Sequence, residues 1–227
     1  MKYYYLSVSI DFKEVGIYPQ STSFNEIGSV QEYGLGFNAP INSIKLPELI
    51  LDNKAKLTNL ISVTYINRSV FLILDHSFIS MLKSNDSIND FQYWNLKVLK
   101  KNSTINNYYL FHLSYPSDID IIDFEKSTFE LSNDNLGSGI KKRFEDYIDY
   151  KKEWDKTINL GNTLKFEKIF LDFRKMNSDL IRILNIDSMF IGYYISEPLK
   201  KAIEKERFTG LVFQEIEEID KRIKAIY

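Results

Sequence analysis

Two stretches of this chain, 121 residues apart, repeat one pattern, and that repeat restricts the fold more than any other feature of the sequence. In VFLILDHSFISML (70–82) an apolar run of strand length stops at Asp75, a good helix cap, and Phe78 and Leu82 follow four residues apart on one helical face. In MFIGYYISEPLKKAI (189–203) Ser196, Leu199 and Ile203 take the same places. Ser-Glu-Pro is a strong helix start, because proline suits an early helical position and an acid favours the positive end. Each copy then passes an aromatic position (Phe91 or Tyr93; Phe208) and enters a further strand, WNLKVL or LVFQEI. The pattern predicts an α+β fold of mixed sheets and short helices, with two strand-helix-strand units around 70–99 and 189–216.

A chain of 227 residues and 26.7 kDa buries about 70% of its unfolded surface, enough for a core without staples. We expect one domain over 1–227 with two lobes, about 1–135 and 160–227. Sixteen Phe and fifteen Tyr favour strands and bulky packing, and most of these rings belong to the core. The 29 basic residues against 31 acidic give a net charge of −2, which excludes the global basic field of a generic nucleic-acid binder. With no cysteine, disulfides, thiolate metal sites and cysteine nucleophiles are ruled out. The start, MKYYYLSVSIDF, lacks the apolar core of a signal peptide, and no run reaches the length needed to span a bilayer. The expectation is a soluble protein of the cytoplasm that engages no membrane.

Along the chain, Tyr3 to Phe12 reads as a strand and Gly16 to Pro47 as a loop-rich stretch. Glu48 to Leu51 is extended, and a short helix follows in which Leu57, Leu60 and Ile61 share a face. Strands are expected around Trp94 to Leu99, Tyr108 to Ser114 and Leu164 to Phe173. The alternating acids and apolars of Asp118 to Leu131 also suit a half-buried strand. After the loop SNDNLGSG, a helical stripe runs through Ile140, Phe144, Tyr147, Ile148 and Trp154. Asp179 to Arg182 reads as a single turn.

Little catalytic chemistry is present. His76 and His112, the only two histidines, lie 36 residues apart with no metal-ligand spacing. His76 follows a cap and reads as partly exposed; His112 lies in a strand and reads as half-buried. No GxSxG elbow nominates a serine, and Ser196 is a cap. GLGFNAP superficially resembles a dinucleotide fingerprint, but Pro40 stands where its helix has to run. No cofactor is implied.

The acids carry the remaining interest. Asp118, Asp120, Asp123, Glu125 and Glu130 form an acidic tract opposed only by Lys126. On a strand Asp118 and Asp120 project from the same face. Three uses are open: a solvated face that discourages edge-to-edge pairing, a docking patch for a basic partner, or a carboxylate pair for metal binding or acid-base work.

At the second copy of the repeat, LIRILNIDSMFIGYYISEPLKKAIEKERFTGLVFQEI resembles the carboxy-terminal signature of the immunity protein 11 family of bacterial polymorphic toxin systems. The residues that carry it are Ser196, Glu197, Leu199 and Lys200, then Thr209, Gly210, Leu211 and Phe213. The segment FQYWNLKVLKKNSTINNYYLFHLSYPSDIDIIDFEKSTFEL is similar to the family's middle section, which leads to Asp123. The likeness covers about Leu46 to Ile216. It departs at Asp75 and His76, which replace Ser-Glu while keeping the cap, and at a charged helical insertion over 139–156.

The resemblance implies an immunity protein, not an enzyme, that binds and neutralises a cognate secreted toxin encoded nearby. On charge and aromatic placement, the toxin-binding candidates are Asp118, Asp120, Asp123 and Glu125 with Tyr147, Tyr150 and Trp154 of the inserted helix. The alternative is a small-molecule or metal-dependent enzyme using Asp118 and Asp120.

Overall fold

The computed structural model describes residues 1–24, 46–64, 66, 70–114, 121–132, 139–183 and 191–227. The chain opens with β1 (Tyr3–Val8), a single helical turn α1 (Phe12–Val15) and the short strands β2 (Ser23–Phe24) and β3 (Leu49–Ile50). β4 (Phe71–Asp75) runs straight into α2 (His76–Lys83), and the hairpin of β5 (Phe91–Lys100) and β6 (Ser103–Leu113) follows. β7 (Thr128–Ser132), β8 (Ile140–Lys142), α3 (Tyr147–Asn159) and β9 (Thr163–Asp172) come next. A 3₁₀ turn at Phe173–Lys175 leads to β10 (Leu180–Ile183) and β11 (Gly192–Ser196). α4 (Glu197–Lys205), β12 (Leu211–Glu215), α5 (Ile216–Ile219) and β13 (Ile223–Ile226) complete the chain. The fold is mixed α+β, with three sheets and a few short helices among the described residues.

The repeat is a structural one, and its two caps do the same work. Asp75 accepts a hydrogen bond from the Phe78 backbone N–H, and Ser196 accepts one from Leu199, each three residues into its helix. Between the two arms of each unit lies one antiparallel strand. β6 pairs with both β4 and β5, while β1 pairs with both β11 and β12. The registers correspond: Leu74 faces Tyr109 as Ile195 faces Tyr4, and Leu72 faces Phe111 as Tyr193 faces Leu6. One unit therefore takes its central strand from the next hairpin, and the other takes it from the beginning of the chain.

A fourth strand position also repeats. Leu180 of β10 pairs with Ile195, and Leu60 forms a bridge with Leu74. The short helix expected through Leu57, Leu60 and Ile61 is therefore extended backbone. Leu60 enters the core between the two units, Ile61 enters the core on the opposite side, and Leu57 is 47% exposed. Alternation of this kind belongs to a strand. The turn expected at Asp179 to Arg182 is β10, an edge strand of the sheet β10-β11-β1-β12.

Three cores separate the layers. The central one joins the two units, with Phe78, Ile79 and Leu82 of α2 and Leu199 and Ile203 of α4 beside Leu6, Leu72, Phe111 and Tyr193. β1 packs on both faces, with Leu6 and Val8 in this core and Tyr3 in the next, and its sequence YYYLSV accordingly carries no charged residue. That next core fills the space toward the sheet β13-β9-β7-β8. The third core packs Leu49, Leu51, Ala55, Val63 and Val70 on the outer face of the five-stranded sheet β2-β3-β5-β6-β4.

The helix expected over 139–156 lies at 147–159, because the segment before it does other work. Residues Ile140–Lys142 pair with β7, and Phe144, only 5% exposed, turns into the second core. Asp146 then accepts from the Asp149 N–H at 2.9 Å and starts the helix at Tyr147.

Candidate functional site

The acidic tract enters the described part of the structure at Ile121; Asp118 and Asp120 lie outside the described residues. Its backbone is pinned to β9. Asp123 N–H donates to the Phe170 carbonyl at 2.9 Å, Ser127 N–H and Oγ donate to the Asp123 carbonyl, and Phe170 N–H donates to Ser127 Oγ. Ile122 makes one antiparallel bridge to Leu171 and the chain then turns at Phe124–Lys126, so within the described part of the half-buried strand expected, continuous strand begins only at Thr128. The Asp123 carboxylate accepts from the Lys126 N–H at 3.1 Å and from its ammonium at 2.6 Å. Partial burial pushes the Asp123 carboxyl upward, yet Lys126 outweighs it and holds the group below the usual range.

Asp123 and Glu125 open onto a cleft of about 570 Å³, whose lining also includes Ile122, Phe124, Glu145, Asp146, Tyr147, Asp172 and Lys175. Three of the predicted residues, Asp123, Glu125 and Tyr147, therefore come together. The fold itself occupies part of this charge. Asp146 is the α3 cap, placed with Glu145 at the positive end of the helix. Asp172 accepts from Arg174 Nε and Nη2, both at 2.8 Å, and this pairing brings its carboxyl down to about 2. Glu125 and Glu145 are exposed and form no ion pair among the described residues, so both carboxylates face solvent unengaged.

Tyr147 lines the cleft, with its ring 6.4 Å from Phe124 and 6.3 Å from Tyr150. Tyr150 points inward, at 5.1 Å from Phe129, 5.5 Å from Phe144 and 5.7 Å from Phe124. Trp154 packs beside it at 6.0 Å. Both rings are half-buried supports of the cleft wall, part of the core under α3.

Glu145, Asp146 and Asp172 were not among the sequence candidates. The first two sit in RFEDY and read as the solvated side of a helix; the third reaches the cleft only because β9 ends there. A run of acids immediately before a helix start was the available signal.

The histidines lie elsewhere. His76 is exposed in the first turn of α2, its Nδ1 3.2 Å from Tyr109 Oη. His112 is fully buried, where half-burial was expected, between Phe71 at 5.4 Å and Trp94 at 6.5 Å. Burial, reinforced by the nearby Arg182 guanidinium, lowers its pKa to about 3. Among the described residues no group of three or more His, Asp or Glu side chains is placed to hold a metal ion. No helix there is long and apolar enough to cross a membrane.

A comparison with models of known protein families gave no match, and none of the curated proteins compared with the chain matched it.

Proposed function

We propose that this chain is an immunity protein, which binds a cognate toxin made beside it and neutralises the toxin by covering it. The observation that carries the proposal is the acidic cleft. Five carboxylates and Tyr147 line one open concavity in a chain whose net charge is only −2, and two of those acids, Glu125 and Glu145, have no task in holding the fold. Open shape and carboxylates that do not converge on one point suit a protein surface better than a small molecule or an ion. The resemblance of the cap-bearing repeat to the immunity protein 11 family supports the same conclusion from the sequence.

Inhibition in this scheme is occlusion. Exposed acids raise the encounter rate with a basic patch on the toxin, while Tyr147 supplies a rigid ring at the cleft wall on which the partner closes. Lys126 and Arg174 pair with Asp123 and Asp172, and Lys175 adds a positive charge to the same lining, so the exposed acids without an ion pair among the described residues are Glu125, Glu145 and the cap Asp146.

Co-expression with the product of the adjacent upstream gene tests the proposal. Restored growth of a sensitive host and co-purification of the two chains are expected. Toxicity that this chain leaves unrelieved overturns the pairing.

A further inference from the structure

Across Phe144 from the acidic cleft lies a groove of about 680 Å³ lined by six cations, Lys141, Lys142, Arg143, Lys168, Lys221 and Arg222, beside Thr128 and Glu167. Three of these cations have partners: Lys141 meets Glu167, Lys142 meets Glu153 at 3.3 Å, and Arg222 meets Asp220 at 2.6 Å. Arg143, Lys168 and Lys221 are exposed and form no ion pair among the described residues. β8, β9 and the turn before β13 thus bring like charges together with half of them balanced by acids and half not, an excess of positive charge that attracts an anionic group.

The segment IKKRFEDY (140–147) divides its charge between the two concavities. Lys141, Lys142 and Arg143 line the groove, Glu145 and Asp146 line the cleft, and buried Phe144 separates them. Arg143 and Glu145 are two residues apart, at most about 7 Å along the backbone. A protein interface of ordinary size covers about 800 Å² per partner, roughly 30 Å across, so a protein seated on the cleft reaches the groove as well.

Two features favour a folded protein over a nucleic acid in the groove. None of the residues that line the groove is aromatic, which gives a base no ring there to stack on. A long polyanion leaving the groove past Arg143 also runs into Glu145 and Asp146. A protein surface with an acidic patch beside a basic one meets neither obstacle.

We infer that the docking face is bipolar: the toxin that sets a basic patch in the acidic cleft sets a neighbouring acidic patch in the groove of Arg143, Lys168 and Lys221. This inference rests on the immunity reading and adds the charge pattern of the partner.

The test measures association of the purified upstream gene product with the wild-type chain, a groove variant (Arg143→Glu, Lys168→Glu, Lys221→Glu), a milder one (Arg143→Gln, Lys168→Gln, Lys221→Gln) and a cleft variant (Glu125→Lys, Glu145→Lys), at low and high salt. Thermal melts check folding throughout. The groove and cleft charge reversals are each expected to slow association about tenfold or more at low salt and to flatten its salt dependence, with the milder variant between. Wild-type binding that the groove variants leave unchanged overturns the inference and leaves the immunity reading standing. No wild-type binding overturns both. Inorganic polyphosphate captured by the wild-type groove but not by the variants, with toxin association unaffected, also overturns it in favour of a phosphate polymer.

Discussion

Asn59 and Asp179, 120 residues apart, hold equivalent positions and brace the two strand-helix-strand units against each other. The Asn59 carbonyl accepts from the Asp75 N–H at 2.9 Å, and its side-chain amide donates to the Asp75 carboxylate at 2.8 Å. Its Oδ1 accepts from Thr209 N–H at 2.8 Å, in the loop that follows the other unit's helix. Asp179 mirrors this. Its carbonyl accepts from Ser196 N–H at 2.9 Å, and its carboxylate accepts from the Ser196 hydroxyl and from the Asn85 amide at 2.9 Å, in the loop after α2. Each cap is thereby tied to the far end of the opposite helix.

Removing either brace leaves partners unsatisfied at the junction of the units. Asn59→Ala and Asp179→Ala are each expected to lower the unfolding free energy by about 1–3 kcal/mol. Asp179→Asn is expected to recover only part of the loss, because an amide oxygen still accepts from Ser196 while the new NH2 faces the Asn85 amide and cannot accept from it. Urea denaturation measures both. A wild-type midpoint for Asp179→Ala contradicts the brace.

Tyr193 joins the units from within the core. Its hydroxyl donates to the Val70 carbonyl at 2.6 Å and accepts from the Leu113 N–H at 3.3 Å. Tyr193→Phe keeps the ring and takes the acceptor from the Leu113 N–H, while the Val70 carbonyl keeps the Arg182 guanidinium at 3.3 Å, at an expected loss of about 1–3 kcal/mol in the same denaturation experiment.

His112 gives the fold an acid limit. Its folded pKa of about 3 lies below the ordinary 6.5 of the unfolded chain, so the native state holds it neutral while the unfolded state takes up a proton. Stability from this group is complete above the unfolded value and falls as pH drops from 6.5 toward 3, by up to about 1.4 kcal/mol per pH unit. Denaturation midpoints of wild type and His112→Phe across this range are expected to converge on acidification. Parallel curves contradict the account.

Neighbouring residues of α3 separate wall from surface. Tyr150→Ala removes a ring packed on Phe124, Phe129 and Phe144, with an expected loss of roughly 3 kcal/mol. Ile148, 63% exposed, tolerates Ile148→Lys within about 0.5 kcal/mol. Thermal melts distinguish the two, and equal effects contradict the placement of α3.

The repeat was legible because a cap and the apolar face behind it are local in sequence. Its completion by β1 was not, since β1 pairs with strands about 190 to 210 residues later and no local period encodes those partners. Leu57, Leu60 and Ile61 misled for a related reason: over five residues a helical face and an alternating strand look alike, and only burial on opposite sides separates Leu60 from Ile61. The Asp123, Glu125 and Tyr147 part of the cleft could be read from charge and aromatics. Glu145 could not, because its charge pattern also fits a solvated helix, and the buried Phe144 that turns the chain looks like one more member of a stripe.

The most direct measurement is calorimetric titration of the purified chain with the product of the adjacent upstream gene. An immunity protein that works by occlusion predicts a 1:1 complex with Kd around 1 nM or below, about −12 kcal/mol, weakened by Glu125→Lys with Glu145→Lys. No heat of binding at micromolar concentrations, with both proteins folded, contradicts it.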